Sequence, residues 1–142
     1  NTTQFKDLKR NKTNTSSIPA YTQDLLSAIY YARTFDVSNA KIGDSYPITF
    51  TLDDTVFVTK IIYEGKENIK TTIGTFECYK IKPMVLIGNV FKDPYPMMLW
   101  VTADENKIPV LAQSTILVGS VNMELISYKG VRNRVTSKLP GK

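Results

Sequence analysis

The stretch that decides the fold is MMLWVTADENKIPVLAQSTILV, from Met97 to Val118. In its first half alternate residues fall on opposite faces of an extended strand, with Met97, Leu99 and Val101 on one of them. The residues of its second half that are predicted to share one face are Ile108, Val110, Ala112, Ser114, Ile116 and Val118. Between the halves lies a group rich in Asp and Asn, whose side chains bond their own backbone. The stretch therefore predicts a β-hairpin with its turn at Ala103–Lys107.

The same turn has two chemical interpretations, because Asp104, Glu105 and Asn106 are consecutive oxygen donors. A calcium loop between two helices needs a central Gly and a distal Glu, and the continuation DENKIPVLA supplies neither at the required place. A carboxylate pair for acid/base catalysis must converge, whereas adjacent acids on a strand point apart. The turn is the favoured interpretation, and we predict no catalytic residue, no metal ligand and no cofactor.

Outward from this hairpin, short apolar segments alternate with turn residues from about residue 45 to residue 130. Gly65, Gly74 and Gly119 mark turns or bulges at short intervals. A succession of strands joined by tight turns pairs antiparallel, since parallel strands need long crossover connections. We therefore predict a mainly β fold: a strongly curved antiparallel sheet, as a half-barrel or open-barrel meander, with one α-helix near the N-terminus.

The helix is predicted in YTQDLLSAIYYAR, residues 21–33, with Thr22 as its N-cap. Arg33 falls in the last turn, where a cation is favoured by the helix dipole. The apolar residues of the predicted helix form one stripe that is expected to cover the sheet: Leu25, Leu26, Ile29 and Tyr30.

Composition excludes several functions. The chain has no His and a single Cys, which is Cys78, so the Ser-His pair, the thiolate cluster and the intrachain disulfide are ruled out. No run of about 18 apolar residues is present, so a membrane-spanning helix is not expected. The net charge of +5 is concentrated near the two ends, at residues 6–12 and 132–138, which is typical of solvated ends rather than of a nucleic-acid site. We expect a protein that is not an enzyme and does not bind nucleic acid.

In segments such as KPMVLIGNVF and TVFVTKIIY, apolar residues occupy both odd and even positions and therefore both faces of a strand. Strands of this kind are covered on both faces or line a cavity. Of these two alternatives, an interior filled by the helix is the simpler one. If the sheet curls, its inner face is a candidate surface for a lipid or other amphiphile. The residues predicted to form this apolar ligand face are Tyr46, Ile48, Phe50, Met97, Leu99 and Val101.

Several segments together resemble one protein family. They are QDLLSAIYYAR (residues 23–33), IGDSYPITF (42–50), TTIGTFECYKIKP (71–83), GNVF (88–91) and LWVTADENKIPVLAQSTILVGSVNMELISYKG (99–130). In combination and order they are similar to the bacterial domain DUF3108.

The resemblance covers about residues 21–130. It implies an exported protein of the periplasm or cell envelope of Gram-negative bacteria, with a mostly antiparallel, strongly curved sheet. It implies no known catalytic activity and carries over no functional residue. Family members generally have further N-terminal strands and a signal peptide, so the 142 residues are expected to be one β-rich domain, the C-terminal part of a longer exported protein.

Three hypotheses follow for the function. The first is a non-enzymatic envelope domain that binds an amphipathic molecule. The second is a structural module whose sheet edge pairs with an envelope protein. The third is a carboxylate-dependent hydrolase, for which the sequence offers Asp24, Asp104 and Glu105.

Overall fold

The computed structural model describes residues 2–9, 11–52, 55–84, 97–115 and 119–141. Its elements in chain order are β1 (Thr2–Asp7), β2 (Lys12–Ser17), β3 (Gln23–Asp24), α1 (Leu25–Ala32), β4 (Ser45–Leu52), β5 (Thr55–Thr71), β6 (Gly74–Pro83), β7 (Met97–Thr102), β8 (Pro109–Thr115) and β9 (Ser120–Glu124). The Asp53-Asp54 turn and most of KPMVLIGNVF lie outside the described residues.

The strands form two sheets. β1 and β2 pair in a two-stranded antiparallel hairpin, and the other strands form a sheet in the order β3-β4-β5-β6-β7-β8-β9. From β5 to β9 each strand pairs antiparallel with the next, as expected for short connections. The prediction of a mainly β, antiparallel meander with one helix near the N-terminus is confirmed. Among the described residues no helix is long and apolar enough to span a membrane.

The start of the helix was predicted wrongly. Gln23 and Asp24 pair in parallel with Phe50 and Thr51 of β4, so the backbone there is extended and α1 begins only at Leu25. Asp24 is the N-cap, because its carboxylate accepts hydrogen bonds from the backbone N–H and the hydroxyl of Ser27 at 2.8 and 2.7 Å. The Thr22 hydroxyl instead donates to the Pro19 carbonyl in the preceding turn.

The apolar stripe of α1 is also only partly realised. Ala28 is buried, whereas Ile29 and Tyr30 are mostly exposed. Arg33 follows the last helical residue as the C-cap, with its guanidinium 5.8 Å from the ring centre of Tyr30. Ile29 and Tyr30 therefore do not act as the predicted cover for the sheet, and the side chains of Leu25 and Leu26 lie outside the described residues.

The chain divides into two compact units. The first consists of residues 1–35 and 47–59 and contains the β1–β2 hairpin, α1 and the larger part of β4. The second consists of residues 36–46 and 60–142 and contains most of β5 and all of β6 to β9. The prediction of a single β-rich domain stays a prediction.

In the second unit β5 carries a bulge between Tyr63 and Gly65. Gly65 has a φ of +109°, which non-glycine residues rarely adopt, and this explains why the strand continues through a residue that also suited a turn. At the bulge the loop before β4 pairs with the strand: Gly43 N–H donates to the Tyr63 carbonyl, and Tyr63 N–H donates to the Asp44 carbonyl, both at 2.9 Å.

Candidate functional site

The second unit presents two contrasting faces of one sheet. Alternation along each strand and the observed strand pairing assign the side chains of β6, β7 and β8 to one face or the other. We call them the tryptophan face (Ile69, Phe76, Cys78, Trp100 and Val110) and the tyrosine face (Tyr63, Tyr79, Ile81, Met97, Leu99, Val101, Ala112, Ser114, Val121 and Met123). The last three residues of β7 are all buried, so both faces of the sheet are covered at that end of the strand.

A row of apolar side chains crosses five strands on the tyrosine face. The residues that stand directly opposite one another along it are Tyr63, Ile81, Leu99, Ala112 and Met123. Neighbouring side chains in such a row are about 5 Å apart, so they form one continuous apolar surface. The row therefore extends the predicted pattern of β7 across the second unit.

Burial decreases along this row. Tyr63 is 6% exposed and Ala112 is 8% exposed, whereas Met123 at the far end is 61% exposed and its neighbour Val121 is 45% exposed. Burial raises the pKa of the Tyr63 phenol, which keeps it neutral. The row is therefore buried at Tyr63, Ile81 and Ala112 and reaches the surface at Met123.

Ser114 places a buried polar atom on the tyrosine face. Ser114 lies opposite Met97 of β7 and Val121 of β9, and its Oγ is buried without a hydrogen-bond partner among the described residues. A buried hydroxyl without a partner costs about 1–3 kcal/mol. Ser114 therefore offers an unsatisfied donor and acceptor beside an apolar surface.

Charged side chains lie at the margin of the tyrosine face, beside Tyr79. Lys66 stands opposite Tyr79, with its Nζ 5.4 Å from the ring centre and 3.1 Å from Glu77 Oε2. The hydrogen bond to Glu77 raises the pKa of Lys66, so the ammonium stays charged. The tyrosine face is apolar in the middle and polar at this margin.

The tryptophan face is closed by the C-terminal segment, which we define as residues 125–139. Leu125, Tyr128 and Val135 of this segment pack on the buried cluster of the face. The segment also pairs with β6 next to Phe76, since Glu77 N–H donates to the Ser137 carbonyl and Leu139 N–H to the Thr75 carbonyl, both at 2.8 Å. The C-terminal segment therefore pairs with β6 beyond the point at which the pairing of β6 with β7 ends.

Polar groups on the tryptophan face are satisfied. The indole Nε1 of Trp100 donates to Glu67 Oε2 at 3.0 Å, and Lys80 Nζ lies 3.4 Å from the same oxygen. The bond from Trp100 lowers the pKa of Glu67. Cys78 is fully buried in the cluster, and burial raises the pKa of its thiol to about 12. The tryptophan face is therefore a buried core in which these polar groups have partners.

Asp104 fastens the C-terminal segment to the β7–β8 turn. One carboxylate oxygen accepts from the Thr102 hydroxyl and the Asn106 backbone at 2.8 and 3.0 Å, and the other accepts from the Ser137 hydroxyl at 2.7 Å and its backbone N–H at 3.3 Å. Burial opposes ionisation of Asp104, but these bonds outweigh it and lower the pKa. The predicted turn is confirmed, and its acid has a structural role.

Asn106 adds a second attachment from the same turn. Its side chain donates to the Asn133 carbonyl and accepts from the Asn133 N–H, each at 3.0 Å. Glu105, between these two residues, is exposed. Among the described residues no cluster of three or more His, Cys, Asp or Glu is arranged to hold a metal ion.

The predicted arrangement of the second strand is wrong at one position. The pairing of β7 with β8 shifts after Trp100, so that Trp100 stands opposite Leu111 but Val101 stands opposite Pro109. The extra residue, Val110, belongs to the cluster of the tryptophan face, whereas Ala112 lies on the tyrosine face. A bulge therefore breaks the alternation between two residues that were predicted to share a face.

The six predicted ligand-face residues are distributed over both units. Met97, Leu99 and Val101 lie together on the tyrosine face, and Tyr46 is in the same unit, where its hydroxyl donates to the Asp36 carbonyl at 3.3 Å. Ile48 and Phe50 are buried in the other unit, where the Phe50 ring is 5.5 Å from that of Phe57. That all six line one surface stays a prediction.

Comparison with known proteins adds one finding. The family model described as "Protein of unknown function (DUF3108)" matches residues 1–126. The chain belongs to the DUF3108 family. No curated protein matches this DUF3108 chain, and no solved structure does. The match includes the β1–β2 hairpin, which the sequence resemblance left out, and it ends before Asn133 and Ser137 of the C-terminal segment.

Proposed function

We propose that this DUF3108 chain is a non-enzymatic domain of the Gram-negative cell envelope that binds a lipid or other amphiphile on its tyrosine face. The observation that supports the proposal is the apolar row that leaves the packed interior at Tyr63 and ends exposed at Met123. Covering the exposed parts of Val121 and Met123 contributes about 1 kcal/mol each.

The proposed ligand has an apolar chain and at least one polar atom. The chain lies along Leu99, Ala112 and Met123, and the polar atom bonds Ser114 Oγ. Satisfying this hydroxyl, which lacks a partner in the part of the chain that the structure describes, offsets its desolvation cost of about 1–3 kcal/mol. A purely apolar molecule would leave that cost in place, so the site prefers an amphiphile.

The test is mass spectrometry of an organic extract of the protein, purified without detergent from its native envelope. We expect a stoichiometric amphiphile that is absent from a control protein handled identically. In Met123→Lys the amphiphile should be depleted, because a charge replaces the exposed end of the row. The matched control is Ile126→Lys, which changes another exposed apolar residue (74% against 61% for Met123) outside the row and should retain the amphiphile. A clean extract from the wild type contradicts the proposal.

Envelope location is a separate part of the proposal and rests on the family resemblance. It is tested by osmotic-shock fractionation of cells that express the native protein at its normal level. Release together with periplasmic markers, or recovery with the envelope, supports it. Recovery with cytoplasmic markers contradicts it.

The second candidate function is a structural module that binds an envelope protein through the edge of its sheet. It is favoured by β9, an end strand whose five residues are all exposed. The hydrolase alternative is weaker. Asp104, its best candidate, has both carboxylate oxygens occupied by donors and is held ionised by them.

A further inference from the structure

The strand β9 has the properties of an unfinished sheet edge. It stands last in the strand order, and among the described strands its pairing is with β8. All five of its residues are exposed, including Val121 and Met123. Its sequence SVNME contains no Lys and no Pro, which are the residues that usually protect an edge from pairing with another chain.

The structure shows which residues of β9 direct their backbone groups towards β8 and which direct them outward. Leu125 N–H donates to the Val110 carbonyl at 2.9 Å, in line with the register that places Glu124 opposite Leu111. Residues bonded to the neighbouring strand alternate in an antiparallel pair, so Val121 and Met123 direct their backbone groups towards β8. The backbone groups that point outward belong to Ser120, Asn122 and Glu124.

We infer that β9 pairs antiparallel with β9 of a second copy of this chain, about a two-fold axis at Asn122. In this register Asn122 stands opposite Asn122 of the second copy, and Ser120 stands opposite Glu124. All three outward residues then exchange backbone hydrogen bonds, which is what an isologous interface requires. The inference concerns the sheet edge and does not depend on ligand binding.

The side chains of β9 are complementary in the same register. Val121 of one copy stands opposite Met123 of the other in a pair without backbone hydrogen bonds, where side chains approach most closely. Both belong to the tyrosine face, so the apolar row continues from one copy into the next. The pairing covers the flanks of these two side chains that point towards the second copy and leaves their outward side on the tyrosine face free.

Glu124 favours this register over the neighbouring registers. A pairing centred on Glu124 would place two carboxylates directly opposite each other, which is destabilising. Centred on Asn122, the two Glu124 residues are about 14 Å apart along the strands. Each instead faces the hydroxyl of Ser120, while Glu124 Oε1 keeps its bond from the Thr72 N–H at 2.8 Å.

The first test is the mass of the full chain in solution across a range of concentrations, by sedimentation equilibrium. We expect twice the 16.0 kDa of one chain for the wild type. Asn122→Pro should give a monomer, because it removes an outward N–H that β8 does not use, and Pro is tolerated at such edge positions. Circular dichroism and thermal melting check that this variant is folded. A wild type that stays monomeric, or a folded Asn122→Pro variant that stays dimeric, overturns the inference.

The second test is disulfide formation between copies of a variant in which one exposed cysteine has been added to β9. Two Asn122→Cys residues in the inferred register have Cα atoms about 5.5 Å apart, within the range of a disulfide. The matched control Ser120→Cys places its pair about 14 Å apart, too far to bridge. The native Cys78 is buried and does not compete. We expect a crosslinked dimer from Asn122→Cys alone, and equal crosslinking of the two variants would mean random collision.

The two proposals are separable in one variant. Asn122→Pro leaves Leu99, Ala112 and Met123 in place, so it should lose the dimer and keep a bound amphiphile. Loss of the amphiphile together with the dimer would show that the ligand site spans two copies, which overturns the independence claimed above.

Discussion

The two faces of the sheet in the second unit are built from the same strands but differ in how they are completed. The tryptophan face is covered by the C-terminal segment, and its polar groups at Trp100 and Asp104 have partners. The tyrosine face ends in exposed Met123 and holds the hydroxyl of Ser114, which has no partner among the described residues. One sheet thus has one face that is covered by its own chain and another face that ends in exposed apolar side chains.

The largest expected effect is the protection of Cys78 at the centre of the tryptophan face. Because burial raises the pKa of its thiol to about 12, the thiolate fraction at pH 8 is about 10³-fold below that of a free cysteine. Alkylation by iodoacetamide in the native protein should be slowed at least to this extent, and urea should restore it. Rapid alkylation of the native protein would mean that the tryptophan face is open.

Truncation of a side chain should cost more on the closed face. Phe76 is fully buried between the sheet and Tyr128, so Phe76→Ala should lower the free energy of unfolding by about 4 kcal/mol. Leu99→Ala, on the partly buried tyrosine face, should lower it by about 2 kcal/mol. Urea denaturation measures both values. Equal losses would remove the proposed distinction between the faces.

Loss of the Asp104 attachment should destabilise the closed face by an intermediate amount. Asp104→Ala removes four hydrogen bonds to a carboxylate and should lower the free energy of unfolding by about 2 kcal/mol, whereas the exposed neighbour in Glu105→Ala should change it by less than about 0.5 kcal/mol.

The Asp104 contribution should also depend on pH. Its folded-state pKa lies below the ordinary value of 3.8, so the unfolded chain binds the proton more readily. The stabilisation is complete above that ordinary value and is lost as the pH falls through the folded-state pKa. Urea titrations between pH 2 and about pH 6 should show a weaker acid dependence in Asp104→Ala than in the wild type. Parallel pH profiles would contradict this.

The smallest expected effect on stability belongs to Ser114 on the tyrosine face. Because its buried hydroxyl lacks a described partner, Ser114→Ala should leave the free energy of unfolding unchanged or raise it by about 1 kcal/mol. The same variant should bind an amphiphile about tenfold more weakly, since one hydrogen bond to the ligand is worth about 1.4 kcal/mol. A marked loss of stability would mean that the hydroxyl is already satisfied in the free protein.

Local patterns in the sequence were sufficient for much of this fold. The alternation in β7 and the Asp–Asn composition of the following turn correctly predicted the hairpin, because both depend on neighbours along the chain. The same patterns failed at Val110 and at Thr22. A bulge at Val110 and a parallel pairing at Gln23–Asp24 are imposed by other strands, and neither leaves a periodic signal.

The candidate site was predictable only in part. Met97, Leu99 and Val101 follow from the period of one strand, but the row that joins Leu99 to Ile81 and Met123 depends on the register between strands. The role of Asp104 was also partly visible, since an Asx turn is a local feature. Its bonds to Ser137, 33 residues away, were not, because a polar residue in an irregular segment gives no sign of its partner.

The most direct test of the account is a methyl NMR titration of protein labelled at its methionine methyl groups with decanoate, below the critical micelle concentration. The chain has four Met residues, and Met97 and Met123 lie on the tyrosine face whereas Met98 packs on the tryptophan face. We predict saturable shifts of the Met97 and Met123 resonances while the Met98 resonance stays unchanged. Shifts of Met98 with Met97 and Met123 unmoved would show that an amphiphile enters the closed face, and would contradict the account.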